Sequence, residues 1–156
     1  MVKINYFKLI LSIVICQLAG IIGSFFTVSS VSTWFLTLNK PFFNPPSWLF
    51  GPVWITLYLL MGISLYLIWN SYNKSSRLAI SFFSIQLVLN SLWSILFFGL
   101  KNPLLAFIEI IILWIFILLT IIFSHKKSKT SAYLLIPYIL WVTFAAILNF
   151  SIFYLN

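Results

Sequence analysis

"NKPFFNPPSWLFGPVWITLY", residues 39–58, runs from a proline-rich turn directly into an apolar helix. It gathers Pro41, Pro45, Pro46, Pro52, a glycine and two tryptophans around one charge, Lys40. Proline restricts its own φ and the conformation of the residue before it. Asn44-Pro45-Pro46 should therefore hold a rigid extended turn. Ser47 is expected to cap the helix that follows, with Pro52 tolerated near its first turn. A simple membrane anchor needs no such entrance, which raises the question of what the segment is shaped to hold.

Composition frames the answer. The chain has 156 residues, 63% of them hydrophobic and 6% charged, where a soluble domain would carry about 25% charged residues. There are too few polar groups to cover a water-facing surface. The chain therefore reads as an all-α integral membrane protein, one domain over residues 1–156. Five apolar stretches are long enough to cross a bilayer: about 6–28, 48–72, 78–99, 103–124 and 131–154. The first follows basic residues, as a signal peptide would. Its apolar run is too long and no small-residue cleavage site follows, so it is read as a retained span. "NKSSR", "KNP" and "HKKSKTS" mark the breaks, with Asn102 and Ser131 as expected N-caps and Pro103 in a first turn. No repeated alternation of apolar and polar residues suggests strands.

Five spans place the two termini on opposite sides. Lys3, Lys8, Lys74, Arg77, Lys126, Lys127 and Lys129 fall on the side of the N-terminus, and only Lys40 and Lys101 on the other. Basic loops stay inside, so the N-terminus is expected in the cytoplasm and residues 39–47 outside. The net charge of +8 sits in short loops rather than on a polar surface, so no nucleic-acid partner is expected. Glu109, His125 and Cys16 are each the only residue of their kind, and there is no Asp. No carboxylate pair, Ser/His/Asp triad, disulfide or Cys/His metal cluster can be assembled. Neither a metal nor an obligatory cofactor is expected, and conventional hydrolytic or metal catalysis is disfavoured.

Polar side chains inside a span usually face another helix or a cavity. Gln86, Asn90 and Ser94 recur at four-residue spacing, flanked by Trp93 and Phe97. Trp141, Ala145, Leu148 and Asn149 share a face of the fifth span, and Trp54, Tyr58, Met61 and Leu65 a stripe of the second. Two readings compete. The aromatic rings can be interface residues and the amides helix-joining groups. Alternatively, these faces form a flat aromatic pocket with a few orienting amides. Glu109, two turns into the fourth span, is either a neutral or snorkelling carboxyl or a functional site.

"KPFFNPPSWLFGPVWITLYLLMG", "QLVLNSLWSILFFG" and "LLIPYILWVTFAAILN" together resemble the tryptophan-rich sensory proteins and translocator proteins, from about Trp34 to Asn156. The resemblance implies a five-helix bundle, commonly a homodimer, with a pocket opening toward the first loop. It implies a lid made by Pro41, Phe43, Asn44, Pro45 and Pro46, with Trp54 beneath it. It also implies ligand-binding positions at Trp54, Tyr58, Asn90, Trp93, Phe97, Trp141, Ala145 and Leu148. The ligands implied are porphyrins such as protoporphyrin IX, or other lipophilic small molecules. Trp54 and Trp141 would then be the residues of a light-dependent porphyrin degradation.

The chain departs from the family in three places. The family's "KPSWxPP" reads "KPFFNPP", so Phe43 stands for a tryptophan. "TVSSVST" before Trp34 lacks the acid or arginine often found there, and the C-terminal "NFSIFYLN" has no Lys or Arg to complete a sterol consensus, itself a weak pattern. The leading expectation is a tetrapyrrole receptor acting in stress sensing or tetrapyrrole regulation, in a bacterial cell membrane. The alternatives are a transporter of lipophilic compounds and a structural partner of other membrane proteins.

Overall fold

The computed structural model describes residues 4–70 and 76–156. Lys3, Lys74 and the expected end of the second span at Tyr72 lie outside them. The elements run α1 (Tyr6–Val31), α2 (Trp34–Thr37), α3 (Ser47–Asn70), α4 (Ser76–Ser94) continued by a π-helical turn (Ile95–Gly99), α5 (Pro103–His125), α6 (Lys129–Leu134) and α7 (Ile136–Leu155). With α4 and its π-turn as one span, and α6 and α7 as another, five helices are long and apolar enough to cross a membrane.

The bundle is apolar outside, and its largely apolar interior also holds a set of polar side chains. Ser12, Ser64, Gln86, Asn90, Glu109, Thr120, Ser131 and Asn149 are buried, while Phe7, Leu18, Phe25, Val88, Ile111 and Ile147 face outward. In hydrocarbon every exposed polar group goes unsatisfied, so polar groups turn inward and bond across helices. Ser64 Oγ on α3 donates to the Ser131 carbonyl at 3.0 Å, and Ser131 Oγ returns a bond to the Ser64 carbonyl at 3.2 Å.

The helix ends follow their local chemistry. Asn5 caps α1 by accepting from Lys8 N–H at 3.0 Å. Asn102 caps α5 from Leu105 N–H, with Pro103 as its first residue. Two expected caps move. Ser47 is the first residue of α3 rather than its cap. Ser131 lies inside α6, whose cap is Ser128, accepting from Ser131 N–H. Two serines three residues apart compete for that role. The earlier one wins because Ser131 is taken by Ser64. The fifth span also breaks at Leu135, where the chain separates α6 from α7. Pro137 explains it: it donates no backbone bond, and its ring collides with the carbonyl four residues before it.

Of the small residues Gly20, Gly23, Ser84, Ser91 and Ser94, which suit close helix contact, four meet another helix of the same chain. Gly20 faces the Tyr58 ring, and a Cβ at Gly23 would sit 3.0 Å from Ser94 Oγ. Ser91 Oγ donates to the Ala19 carbonyl at 3.0 Å, clasping α4 to α1. Of that set, Ser84 alone is exposed, its hydroxyl turned back to the Ile80 carbonyl.

Lys8, Arg77, Lys126, Lys127 and Lys129 gather at one end of the bundle, and Lys40 and Lys101 at the other. The basic half is tightly packed around Cys16, Met61, Ile68, Phe83, Ile117 and Tyr138. The other half holds a cavity.

Candidate functional site: an aromatic cavity between α1, α3, α4 and α7

The cavity has a volume of about 540 Å³, within the range of small-molecule sites. Three spans supply much of its wall: α3 through Trp54 and Tyr58, α4 through Asn90 and Trp93 with its π-turn through Phe97 and Phe98, and α7 through Trp141, Ala145, Leu148 and Asn149. The eight positions singled out in the sequence, Trp54, Tyr58, Asn90, Trp93, Phe97, Trp141, Ala145 and Leu148, all line it.

The fourth wall is α1, which the sequence reading left out. Gln17, Gly20, Ser24, Thr27 and Val31 run along one face of it. The signal was present as polar residues recurring at helical spacing inside an apolar span. Gln17 also bridges to α3, its Nε2 donating to the Ile55 carbonyl at 3.1 Å.

Aromatic rings set the shape. Trp93 stacks on Phe97 with centroids 5.1 Å apart and planes at 19°. Trp54 stacks on Tyr58 at 5.5 Å and meets Tyr138 edge-on at 6.3 Å. Trp141 packs between Phe50 and Phe144. The indole of Trp93 is held by Nε1 donating to Asn149 Oδ1 at 3.0 Å, while Asn149 Nδ2 donates to the Pro103 carbonyl at 2.8 Å.

The floor is a directed chain of hydrogen bonds. The Tyr58 hydroxyl donates to Asn90 Oδ1. Asn90 Nδ2 donates to Tyr138 Oη at 2.9 Å, and the Tyr138 hydroxyl donates to Gln86 Oε1 at 2.8 Å. Asn90 therefore ties α3 to α7 through α4. The amide joins helices and lines the cavity at once, so the two competing readings of the sequence hold together at this residue.

The π-turn at Ile95–Gly99 has no counterpart in the sequence reading. It buries adjacent residues, Phe97 and Phe98, at the cavity end. Ser30 Oγ on α1 donates to the Phe98 carbonyl at 2.8 Å, satisfying one of the carbonyls left free at the helix end. The residues of the expected lid are not among those that line the cavity. Pro41 to Asn44 form a turn, closed by Asn44 N–H donating to the Pro41 carbonyl at 3.0 Å. Phe43 packs edge-on against Phe144. None of Pro41, Phe43, Asn44, Pro45 and Pro46 lines the space; Phe35 before them and Ser47, Phe50 and Gly51 after them do.

Glu109 is buried on α5 and is not a wall residue; neither of its oxygens has a hydrogen-bond partner among the described residues. Cys16 is wholly buried in the packed half, and His125 is exposed at the end of α5 beside Tyr133. No charged side chain is among the described residues that line the cavity.

Five apolar helices, four of which wall an aromatic cavity with no charged lining among the described residues, define an integral membrane protein with an internal cavity. The chain belongs to the TspO/MBR family, whose sequence model matches residues 12–155. It is 52% identical over 153 residues to a tryptophan-rich protein TspO of Archaeoglobus fulgidus, covering 97% of this chain and 99% of that protein. It is 34% identical over 123 residues to a tryptophan-rich sensory protein of Cereibacter sphaeroides, covering 79% and 77%. It is 33% identical over 137 residues to a translocator protein of Bos taurus, covering 86% and 81%.

Proposed function

We propose that the protein is a membrane receptor for tetrapyrroles of the protoporphyrin IX type. The observation that carries this reading is the cavity: flat indole and phenyl walls from Trp54, Trp93, Phe97 and Trp141, with the amides of Asn90 and Asn149 between them. A tetrapyrrole is a flat apolar ring, and large aromatic side chains bury such surfaces well. The names of two relatives, a sensory protein and a translocator protein, correspond to binding and to transport. Packing favours binding. Beneath Tyr58 and Asn90 the buried side chains of Met61, Phe83, Leu113 and Tyr138 pack together.

Light adds a reaction to binding. A porphyrin seated between Trp54 and Trp141 places an oxidisable indole against a photosensitiser, with dioxygen as the terminal oxidant. The experiment is a titration of protoporphyrin IX into the purified protein, in the dark and under illumination, beside Trp54→Phe and Trp141→Phe. Dark binding with faster pigment loss than on albumin supports receptor and photochemistry together. Equal loss in wild type and variants at matched occupancy reduces the tryptophans to walls, and absence of dark binding removes the tetrapyrrole.

The protein is further proposed to work as a homodimer in the cell membrane, with its N-terminus cytoplasmic. Crosslinking that yields monomer alone in native membranes contradicts the dimer. With Cys16 replaced by Ala, an impermeant thiol reagent should label Ser32→Cys but not Lys129→Cys on intact cells.

A further inference from the structure

We propose that Lys40 is the counter-charge for the anionic edge of a ligand whose uncharged body fills the cavity. The inference rests on the tetrapyrrole reading and sharpens it: the ligand is a flat apolar ring with its carboxylates confined to one edge. The described wall residues carry no charge. A carboxylate buried among them would lose its hydration with no partner, a cost that neutral amides do not offset. The carboxylates must therefore lie at the rim, where the wall residues Ser32, Ser47 and Gly51 are exposed.

Lys40 does not line the cavity but lies at the same end of the bundle, against one of its wall residues. Its Nζ lies 4.9 Å from the ring centroid of Phe35, a buried wall residue. The ammonium carries three donors. It reaches the carbonyls of Leu38 at 3.3 Å and Leu36 at 3.5 Å, both at the long limit of a hydrogen bond. Glu109, the chain's only acidic side chain, is buried on α5, and no carboxylate side chain pairs with Lys40 among the described residues. Its backbone is held from both sides. Before it, Asn39 N–H donates to Asn156 Oδ1 at 2.9 Å and Asn156 Nδ2 donates to the Asn39 carbonyl at 3.0 Å. After it, Pro41 restricts the Lys40 backbone. The charge is thus placed before any ligand arrives, which lowers the ordering cost of binding.

The competing role is purely structural, an ammonium that caps the last carbonyls of α2. Esterifying the ligand separates the two. Wild type, Lys40→Met and Lys101→Met are placed in nanodiscs of zwitterionic lipid. Each is titrated by tryptophan quenching with protoporphyrin IX, with its dimethyl ester and with coproporphyrin, which bears four carboxylates around the ring. Lys40→Met should weaken the diacid about tenfold, the scale of one charge-assisted hydrogen bond, and leave the diester unchanged. Lys101→Met, which removes an exposed lysine at the same end, should change neither. Added salt should weaken the diacid in wild type and not in Lys40→Met, because a rim charge is screened. Coproporphyrin should bind far more weakly than the diacid to wild type. Equal loss of both ligands in Lys40→Met makes the lysine a support for α2 and overturns the proposal, as does no loss of either. Coproporphyrin binding as tightly as the diacid overturns the one-edge rule. Failure of wild type to bind any of the three ends the tetrapyrrole reading itself, and this one with it.

Discussion

Helices α1 and α3 pack along each other but meet in two different ways. Toward the basic end the contact is backbone on backbone: a Cβ built at Gly62 would lie 2.6 Å from Ile13 Cα and 3.1 Å from its nitrogen. Toward the other end Gly20 admits the ring of Tyr58, and further out the helices are parted by the cavity, where a Cβ at Gly51 would meet nothing within 4 Å. Three glycines on one helix pair thus do three different things. One lets two main chains touch, one makes room for a ring, and one borders empty space. Packing density, rather than hydrophobicity, divides the sealed half of this bundle from the half that can hold a ligand.

The sharpest test sets Gly62 against Gly51. Gly62→Ala drives a methyl into the α1 backbone, which cannot move aside as a side chain could, and should cost about 3 kcal/mol of stability. Gly51→Ala should stay within about 0.5 kcal/mol. Thermal unfolding of both in one detergent reads the difference. Equal midpoints would mean that the two helices do not touch at Gly62, and the contrast between the halves would collapse.

Asn90 lies on the boundary between the halves. Replacing it by Ala strands the Tyr58 donor and removes a bond from Tyr138, both in buried surroundings. Leaving buried polar groups unpaired costs about 1–3 kcal/mol, so Asn90→Ala should destabilise by about 2 kcal/mol and weaken porphyrin binding about tenfold. Tyr58→Phe keeps the ring and loses one bond, and should cost about 1 kcal/mol. A stability loss without a binding loss would assign Asn90 to helix packing alone; the reverse would assign it to the ligand alone.

What could be read in the sequence divides along the same line. The spans follow from hydropathy, and the pocket faces of α3, α4 and α7 from four-residue spacing, because both signals are local. The break at Leu135 was also visible, in Pro137, though it was not used. The π-turn at Ile95–Gly99 carries no such mark, because it depends on how Ser30 and the neighbouring helices meet it. The partners of Gly20, Ser91 and Ser131 were equally hidden. Each offers a small surface that fits a second subunit as well as a neighbouring helix, and only the rotation of whole helices decides between them. The chain from Tyr58 to Gln86 needed three helix rotations at once.

The smallest expected effect lies in the backbone of the open end. Lys101 has φ 53°, the left-handed region, in the link between the π-turn and α5. The link is tightly bonded: Leu100 N–H donates to the Ile95 carbonyl at 2.8 Å, Asn102 N–H to the Leu96 carbonyl at 3.1 Å, and Asn102 caps α5. These bonds hold a residue with a Cβ where its clash with the following carbonyl costs about 1–2 kcal/mol. Glycine removes the clash but also frees the unfolded chain, which offsets part of the gain. Lys101→Gly should therefore stabilise the protein by about 0.5–1 kcal/mol, the balance of those two terms. Lys101→Ala, which loses the same side chain and keeps the Cβ, is the control and should not stabilise. Unfolding midpoints in detergent decide it. Glycine and alanine of equal stability would mean that the left-handed turn is unstrained, and the irregular backbone of the cavity end would then be as relaxed as the packed half.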